Sequence, residues 1–365
     1  MSSVLIALFT IWIAFLPILQ YIIVPAEKGI TEEVLQTFIQ PNYFAITKIS
    51  LSGEWKYVYD TFERGNYELY YEESYDDGSW NKVVVPFEFK STRHNSTLWL
   101  RRTFTPPTEL KGERYIIVFK GVWAKADVWL NGRYLGSHTG YFSPFFFDVT
   151  NVLVHGSYNL LTVFVDSLVD RDSIGLLTGL YGTSGPIGQS IGPIGTDPAM
   201  PIGLWNDVEL ATTGSTVVQL ALVAGTLGGS ASANFRLFVK NTGTAKASTD
   251  ISLSVSLDGS KESPLMSWIK ADLDPGEAKW VEANLAAGNP LPWSTWDLGS
   301  PNLYQFKVEL LVGSKSQGSI SGAFGFRDFV AAFGNTGSRF SINGRRIFLR
   351  GTTYVSDPYK FTSST

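Results

Sequence analysis

Hydrophobic positions fall along this chain in three regimes. Residues 4–24, VLIALFTIWIAFLPILQYIIV, form an uncharged apolar run. As a helix rising about 1.5 Å per residue, such a run covers about 30 Å of hydrocarbon. Residues 1–26 are therefore expected to be membrane-directed. They read either as a signal peptide, with Val24-Pro25-Ala26 offering small residues for cleavage, or as a retained anchor. The first lysine is Lys28, so no positive flank fixes an orientation. Residues 27–48 read as a spacer. Within it, Thr31-Glu32-Glu33 followed by Val34, Leu35, Phe38 and Ile39 predicts a short capped amphipathic helix that stops before Pro41.

From residue 49 the pattern changes to short aromatic and β-branched runs separated by Gly, Pro, Asn and Asp, with almost no helical period. Strands are predicted at Trp99–Phe104, Tyr115–Lys120, Asp127–Leu130, Arg133–Gly136, Phe145–Val149 and Leu160–Asp166, a spacing that suits a jelly-roll β-sandwich over residues 49–212. Asn131-Gly132, between Val128-Trp129-Leu130 and Arg133-Tyr134-Leu135, supplies the two positive-φ residues of a tight hairpin. The Gly/Pro/Ile-rich stretch from Asp170 to Pro201 is too broken for a strand and longer than ordinary connections of about 4–6 residues, which marks a functional or disordered loop.

The third regime, residues 213–324, is richer in Ser, Thr, Ala and Val. Ile251, Leu253, Val255 and Leu257 alternate with Ser252, Ser254 and Ser256, so one face of that strand is buried. Further strands at Asn234–Lys240 and Gln305–Val312, with turns at Asn241-Thr242-Gly243, Asp258-Gly259 and Asp274-Pro275-Gly276, predict an immunoglobulin-like β-sandwich. The expected fold class is all-β: two sandwiches in series behind an N-terminal hydrophobic helix.

Composition narrows the chemistry. With no cysteine, disulfide scaffolds, thiolate metal sites and cysteine nucleophiles are excluded. The 29 basic and 33 acidic residues leave a net charge of −4 without a basic block, which argues against nucleic acid as a partner. His94, His138 and His155 lie far apart in sequence and in no ligand spacing, so no metal and no cofactor is expected. No GxSxG, GxxxxGK[ST] or GxGxxG motif is present. The pairs Asp76-Asp77 and Glu72-Glu73 read as solvated loop charges. Trp80, Trp123, Tyr141, Trp293 and Trp296 lie in or beside turns; each could stack on the C–H face of a sugar or simply pack beneath a loop.

Four stretches together resemble the N-terminal half of glycoside hydrolase family 2, which includes β-galactosidases, β-glucuronidases, β-mannosidases and exo-β-glucosaminidases. The first runs from Gly121-Val122-Trp123 through Ala126–Gly132 to Leu135–Tyr141 and Phe147–Thr150, and is similar to the hairpin of the family's sugar-binding jelly roll. Ile202–Leu210 resembles the strand that closes that domain, and Trp296 with Gly299–Tyr304 resembles a motif late in the middle sandwich. Phe324-Gly325-Phe326-Arg327 and Phe340–Gly351 resemble the hairpin and first strand that open a (β/α)₈ barrel, which assigns residues 325–365 to the truncated start of such a barrel.

The resemblance implies hydrolysis of O-glycosyl bonds in carbohydrate metabolism, with a β-linked saccharide as partner. Arg350-Gly351-Thr352-Thr353-Tyr354-Val355-Ser356-Asp357 lacks the histidines of galactosidase-like members and looks closest to exo-β-glucosaminidases, then β-mannosidases. By that likeness Arg350, Tyr354 and Asp357 are candidate substrate-binding residues at the end of the first barrel strand, although Arg350 could equally serve only to pair with barrel carboxylates. The family's acid/base Glu follows an Asn, and none of the asparagines here is followed by Glu. Ending at Thr365, the chain is expected to lack both catalytic carboxylates and to be inactive alone. The barrel would come from a separately encoded partner, or the chain would be a membrane-tethered carbohydrate-binding protein. If the leader exports it, Asn95-Ser96-Thr97 is a glycosylation sequon.

Overall fold

A computed structural model describes residues 42–90, 97–123, 125–140, 142–167, 201–334 and 337–351. The apolar run at 4–24, the helix expected at 31–39, His94, Asn95 and Ser96 of the sequon, Tyr141, residues 170–200 of the long loop, and Tyr354 and Asp357 lie outside these residues. Every regular element among the described residues is a strand, and none is a helix long and apolar enough to cross a membrane.

Two sheets face one another in the first sandwich. One has the order β1 (Thr47–Ser50), β12 (Val208–Thr213), β6 (Arg114–Phe119), β9 (Phe145–Asp148). The other runs β3 (Asn81–Val85), β2 (Gly53–Tyr59), β5 (Thr97–Phe104), β10 (Asn159–Asp166), β7 (Lys125–Leu130), β8 (Arg133–Thr139). All pairs in these sheets are antiparallel, and alternate residues such as Leu98, Leu100, Val128, Leu130, Val163 and Leu210 meet in the shared core. A two-residue pair, β4 (Phe89–Lys90) with β11 (Pro201–Ile202), lies at the margin. Asn131 (φ 52°) and Gly132 (φ 75°) turn the β7–β8 hairpin as the sequence requires. Asn131 also ties three segments together: its Nδ2 donates to Val152 O and Asn159 Oδ1, and its Oδ1 accepts from Leu160 N.

The second sandwich packs β13 (Thr216–Thr226), β14 (Ala231–Asn241) and β17 (Ala278–Gly288) against β16 (Leu265–Leu273), β15 (Ala247–Leu257), β18 (Tyr304–Val312) and β19 (Lys315–Phe324). The period of two reads directly onto the fold: Ile251, Leu253 and Val255 are buried with Phe235, Leu237, Val308 and Leu310. A small sheet, β20 (Phe329–Gly334), β21 (Gly337–Ile342) and β22 (Arg345–Ile347), follows. Its hairpin turns on Asn343 (φ 51°) and Gly344 (φ 76°).

The sandwiches are locked at a polar junction. Gly214 N donates to Gln317 O at 2.7 Å, and Ala45 bridges Ser319. Gly214 is required there, since a Cβ would lie 2.0 Å from Gln317 Oε1. Glu113 accepts from Lys315 Nζ (2.5 Å) and Ser215 N (3.0 Å), and the Lys315 hydrogen bond is the main reason its carboxyl sits below the usual range. Tyr43, Phe44 and Ala45, in the stretch expected to be a spacer, are buried between the sandwiches.

Candidate functional site

The aromatic candidates separate by exposure. Trp80 and Trp123 are buried, so neither presents a face to a sugar. Trp80 belongs to a cluster that the loop between β2 and β3 lays over β5 and β7: Tyr70, Tyr71 and Tyr75 pack with Trp80, Trp99 and Trp129. Arg101, 3% exposed, pins that loop by donating to Glu72 O (2.8 Å) and Tyr75 O (3.0 Å), and it pairs with Asp77 at 3.0 Å. Asp77, which also binds Lys56 at 2.5 Å, is thus no solvated loop charge. The expectation fails because its partners lie on β2 and β5, remote in sequence. Asp76 and Glu73 are exposed, as expected. Trp123 meets Phe142 edge-on, and Phe142 in turn meets Trp205.

Trp293 is half-buried with the Arg327 guanidinium 4.8 Å above its ring, whereas Trp296 is 88% exposed. Around Trp296 the small sheet attaches to the second sandwich. Asn343 Nδ2 donates to Trp293 O (2.9 Å) and Ser294 Oγ (3.2 Å), its Oδ1 accepts from Asp328 N (3.0 Å), and Arg345 reaches Leu298 O. Cross-strand register places Phe329, Ala331, Phe333, Phe340, Ile342 and Ile347 on one face of that sheet. Ile342 is buried, but Phe333 stays 78% exposed and Phe329 43%, and Phe348 just beyond is 83% exposed. Among the described residues no second layer covers this face of the three short strands. Arg350, past the end of β22, is exposed.

Three carboxylates of the first sandwich are committed to structure. Asp60 accepts from Arg64 N, Gly65 N and Trp99 Nε1. Burial opposes ionisation of Glu209, but hydrogen bonds from Lys120 and Tyr43 prevail and hold its carboxyl below the ordinary range. Asp148, bonded to Thr150 and Arg114, is lowered against burial in the same way. A glycosidase acid requires a raised pKa, and each carboxyl shifted among the described residues is shifted down. No group of three or more His, Asp and Glu that could hold a metal occurs among the described residues. His138 stacks on Phe145 and His155 packs edge-on to Tyr115; burial lowers the His138 pKa.

Two sandwiches followed by an apolar-faced small sheet define a multidomain β scaffold. Residues 82–174 match the family described as glycosyl hydrolase 2 galactose-binding domain-like, and residues 216–327 match glycosyl hydrolases family 2. The chain therefore carries, in order, the N-terminal galactose-binding-like and sandwich domains of glycosyl hydrolase family 2. It is 26% identical to a β-galactosidase of Thermoanaerobacter pseudethanolicus over 74% of this chain and 33% of that protein. A β-glucuronidase of Paenibacillus borealis is 25% identical over 82% of this chain and 48% of the relative. An exo-β-D-glucosaminidase of Hypocrea virens is 23% identical over 80% and 31%. Bacteroides uniformis β-glucuronidase shares the fold with a TM-score of 0.65 at 19% identity, over 84% of this chain and 35% of that structure. The chain thus spans 31–48% of the length of these relatives.

Proposed function

We propose that this chain is the non-catalytic, substrate-end portion of a family 2 β-glycosidase, acting on O-glycosyl bonds together with a (β/α)₈ barrel that covers β20–β22. The observation that carries the reading is the exposure of Phe329 and Phe333 on one face of β20–β22, and of Phe348 just past β22, at the point where the family's barrel begins. On this reading Arg350, Tyr354 and Asp357 line the substrate pocket from the first barrel strand, and their sequence favours an exo-β-glucosaminidase-like or β-mannosidase-like sugar. The relatives with matching domains are named for galactoside, glucuronide and glucosaminide hydrolysis, so substrate choice rests on the pocket rather than on the scaffold.

The test is to assay aryl β-glycosides with the chain alone and after mixing with a family 2 barrel expressed without its own sandwiches. Turnover only in the mixture supports the reading; no gain over the barrel alone rejects it.

A second reading, a carbohydrate-binding protein tethered to a membrane, draws on the uncharged run at 4–24, which also supports an extracytoplasmic location. Fractionation of expressing cells distinguishes the two: recovery with membranes supports tethering, and recovery in the cytosolic fraction rejects it.

A further inference from the structure

We infer a saccharide-binding surface on the outer face of the four-stranded sheet of the second sandwich. It rests on strand register. Trp268 on β16 lies opposite Ser252 on β15, which lies opposite Glu309 on β18. One row along, Met266, Ser254 and Lys307 align in the same way. Because Ile251, Leu253, Val308 and Leu310 point into the core, all six of these side chains point outward.

The result is a trough. Trp268 and Met266, 57% and 54% exposed, form one wall. Lys307 and Glu309, paired at 2.9 Å, form the other. Two small serines make the floor, and the smallness is what opens the channel: neighbouring strands lie about 4.8 Å apart, so the walls stand about 10 Å apart across it. Ser252 is 8% exposed, sunk between its larger neighbours.

The chemistry of the lining selects the ligand. An indole face packs on the C–H face of a pyranose while its surroundings stay wet. The Ser252 and Ser254 hydroxyls have no hydrogen-bond partner among the described residues, so both are available to sugar hydroxyls. The opposite wall is an ion pair, with Glu309 accepting from Lys307 (2.9 Å) and Ser316 (3.3 Å), whose cancelled charge suits a neutral glycan rather than an anionic one. Rows along a strand repeat about every 7 Å, so a trough two rows long holds a short stretch of chain rather than a single monosaccharide. The surface would retain a polysaccharide near the protein without taking part in hydrolysis, and it does not depend on the barrel being present.

Isothermal titration calorimetry on the full chain with cellohexaose, mannohexaose, xylohexaose and chitohexaose tests this, with sedimentation velocity run alongside. At least one hexasaccharide should bind. Loss of the ring in Trp268→Ala should weaken it about tenfold or more, in line with the worth of an aromatic contact, while Trp268→Phe keeps most of the affinity. Ser252→Val should weaken binding with an unchanged melting temperature, separating a lost contact from a lost fold. Failure of all four sugars at millimolar concentration, or equal binding by Trp268→Ala, overturns the inference. A wild-type dimer that Trp268→Ala dissociates, without sugar binding, overturns it in favour of a second copy on this face.

Discussion

Replacing Asn343 with alanine should release the small sheet from the second sandwich without unfolding either sandwich. The side chain makes three hydrogen bonds, to Trp293 O, Ser294 Oγ and Asp328 N, and its own backbone N donates to Asp328 O. It also sits at φ 51°, where asparagine is tolerated and alanine is strained by about 1 kcal/mol or more. At about 1 kcal/mol per net hydrogen bond, two to three bonds plus the backbone strain come to about 3 kcal/mol. Since 1.4 kcal/mol is a factor of ten, opening of the sheet should become about 100-fold more frequent. Amide hydrogen exchange reads this locally: β20–β22 amides lose protection by up to that factor, while β15 and β18 amides, at the centre of the four-stranded sheet, keep theirs. Asn343→Gly restores the backbone but not the side chain and should recover about a third of the loss. Unchanged β20–β22 protection in Asn343→Ala would show that the sheet is not held by this residue.

Three further outcomes follow from buried contacts. Gly65→Ala places a Cβ 2.2 Å from Trp99 Nε1, beside the Asp60 bond that holds that ring, and overpacking of about 1–3 kcal/mol should lower the melting temperature by about 2–4 °C per kcal/mol. An unchanged Tm would contradict the packing described for that loop. Asp77→Asn strips buried Arg101 of its charge partner but leaves the Glu72 and Tyr75 carbonyls. The loss should be about 1–3 kcal/mol in urea unfolding, below the 3–5 kcal/mol of a fully buried pair because Asp77 is partly solvated. Glu209 has a folded pKa held below its unfolded value by Lys120 and Tyr43 despite burial. Its stabilisation is complete above the unfolded pKa of about 4.3 and is lost as pH falls through the lower folded value. Wild type should therefore lose stability more steeply than Glu209→Gln as pH falls below about 4.3, and parallel curves would show that Glu209 does not contribute this way.

What could be read from sequence was what is local. Asn131-Gly132 and Asn343-Gly344 announce their hairpins because the turn demands positive φ at both positions. Ile251, Leu253 and Val255 announce a half-buried strand because its period is two. The role of Asp77 was not legible, since Arg101 reaches it from β5 across a folded loop. Burial of Trp80 depends on the same loop closing over β5 and β7. The trough of Trp268, Ser252 and Glu309 comes from three strands whose alignment only pairing register supplies. The exposed face of β20–β22 was hidden too: Phe329 and Phe333 look like ordinary core residues, yet among the described residues the register leaves them exposed.

In the proposed function the exposed aromatics Phe329, Phe333 and Phe348 dock a barrel. Sedimentation velocity of the chain mixed with a family 2 barrel lacking its own sandwiches measures this directly, using wild type and the double variant Phe333→Asp, Phe348→Asp. A one-to-one complex with wild type that is lost with the variant, whose own sedimentation and circular dichroism are unchanged, is the predicted result. No complex with wild type, or a complex indifferent to both aspartates, would contradict it.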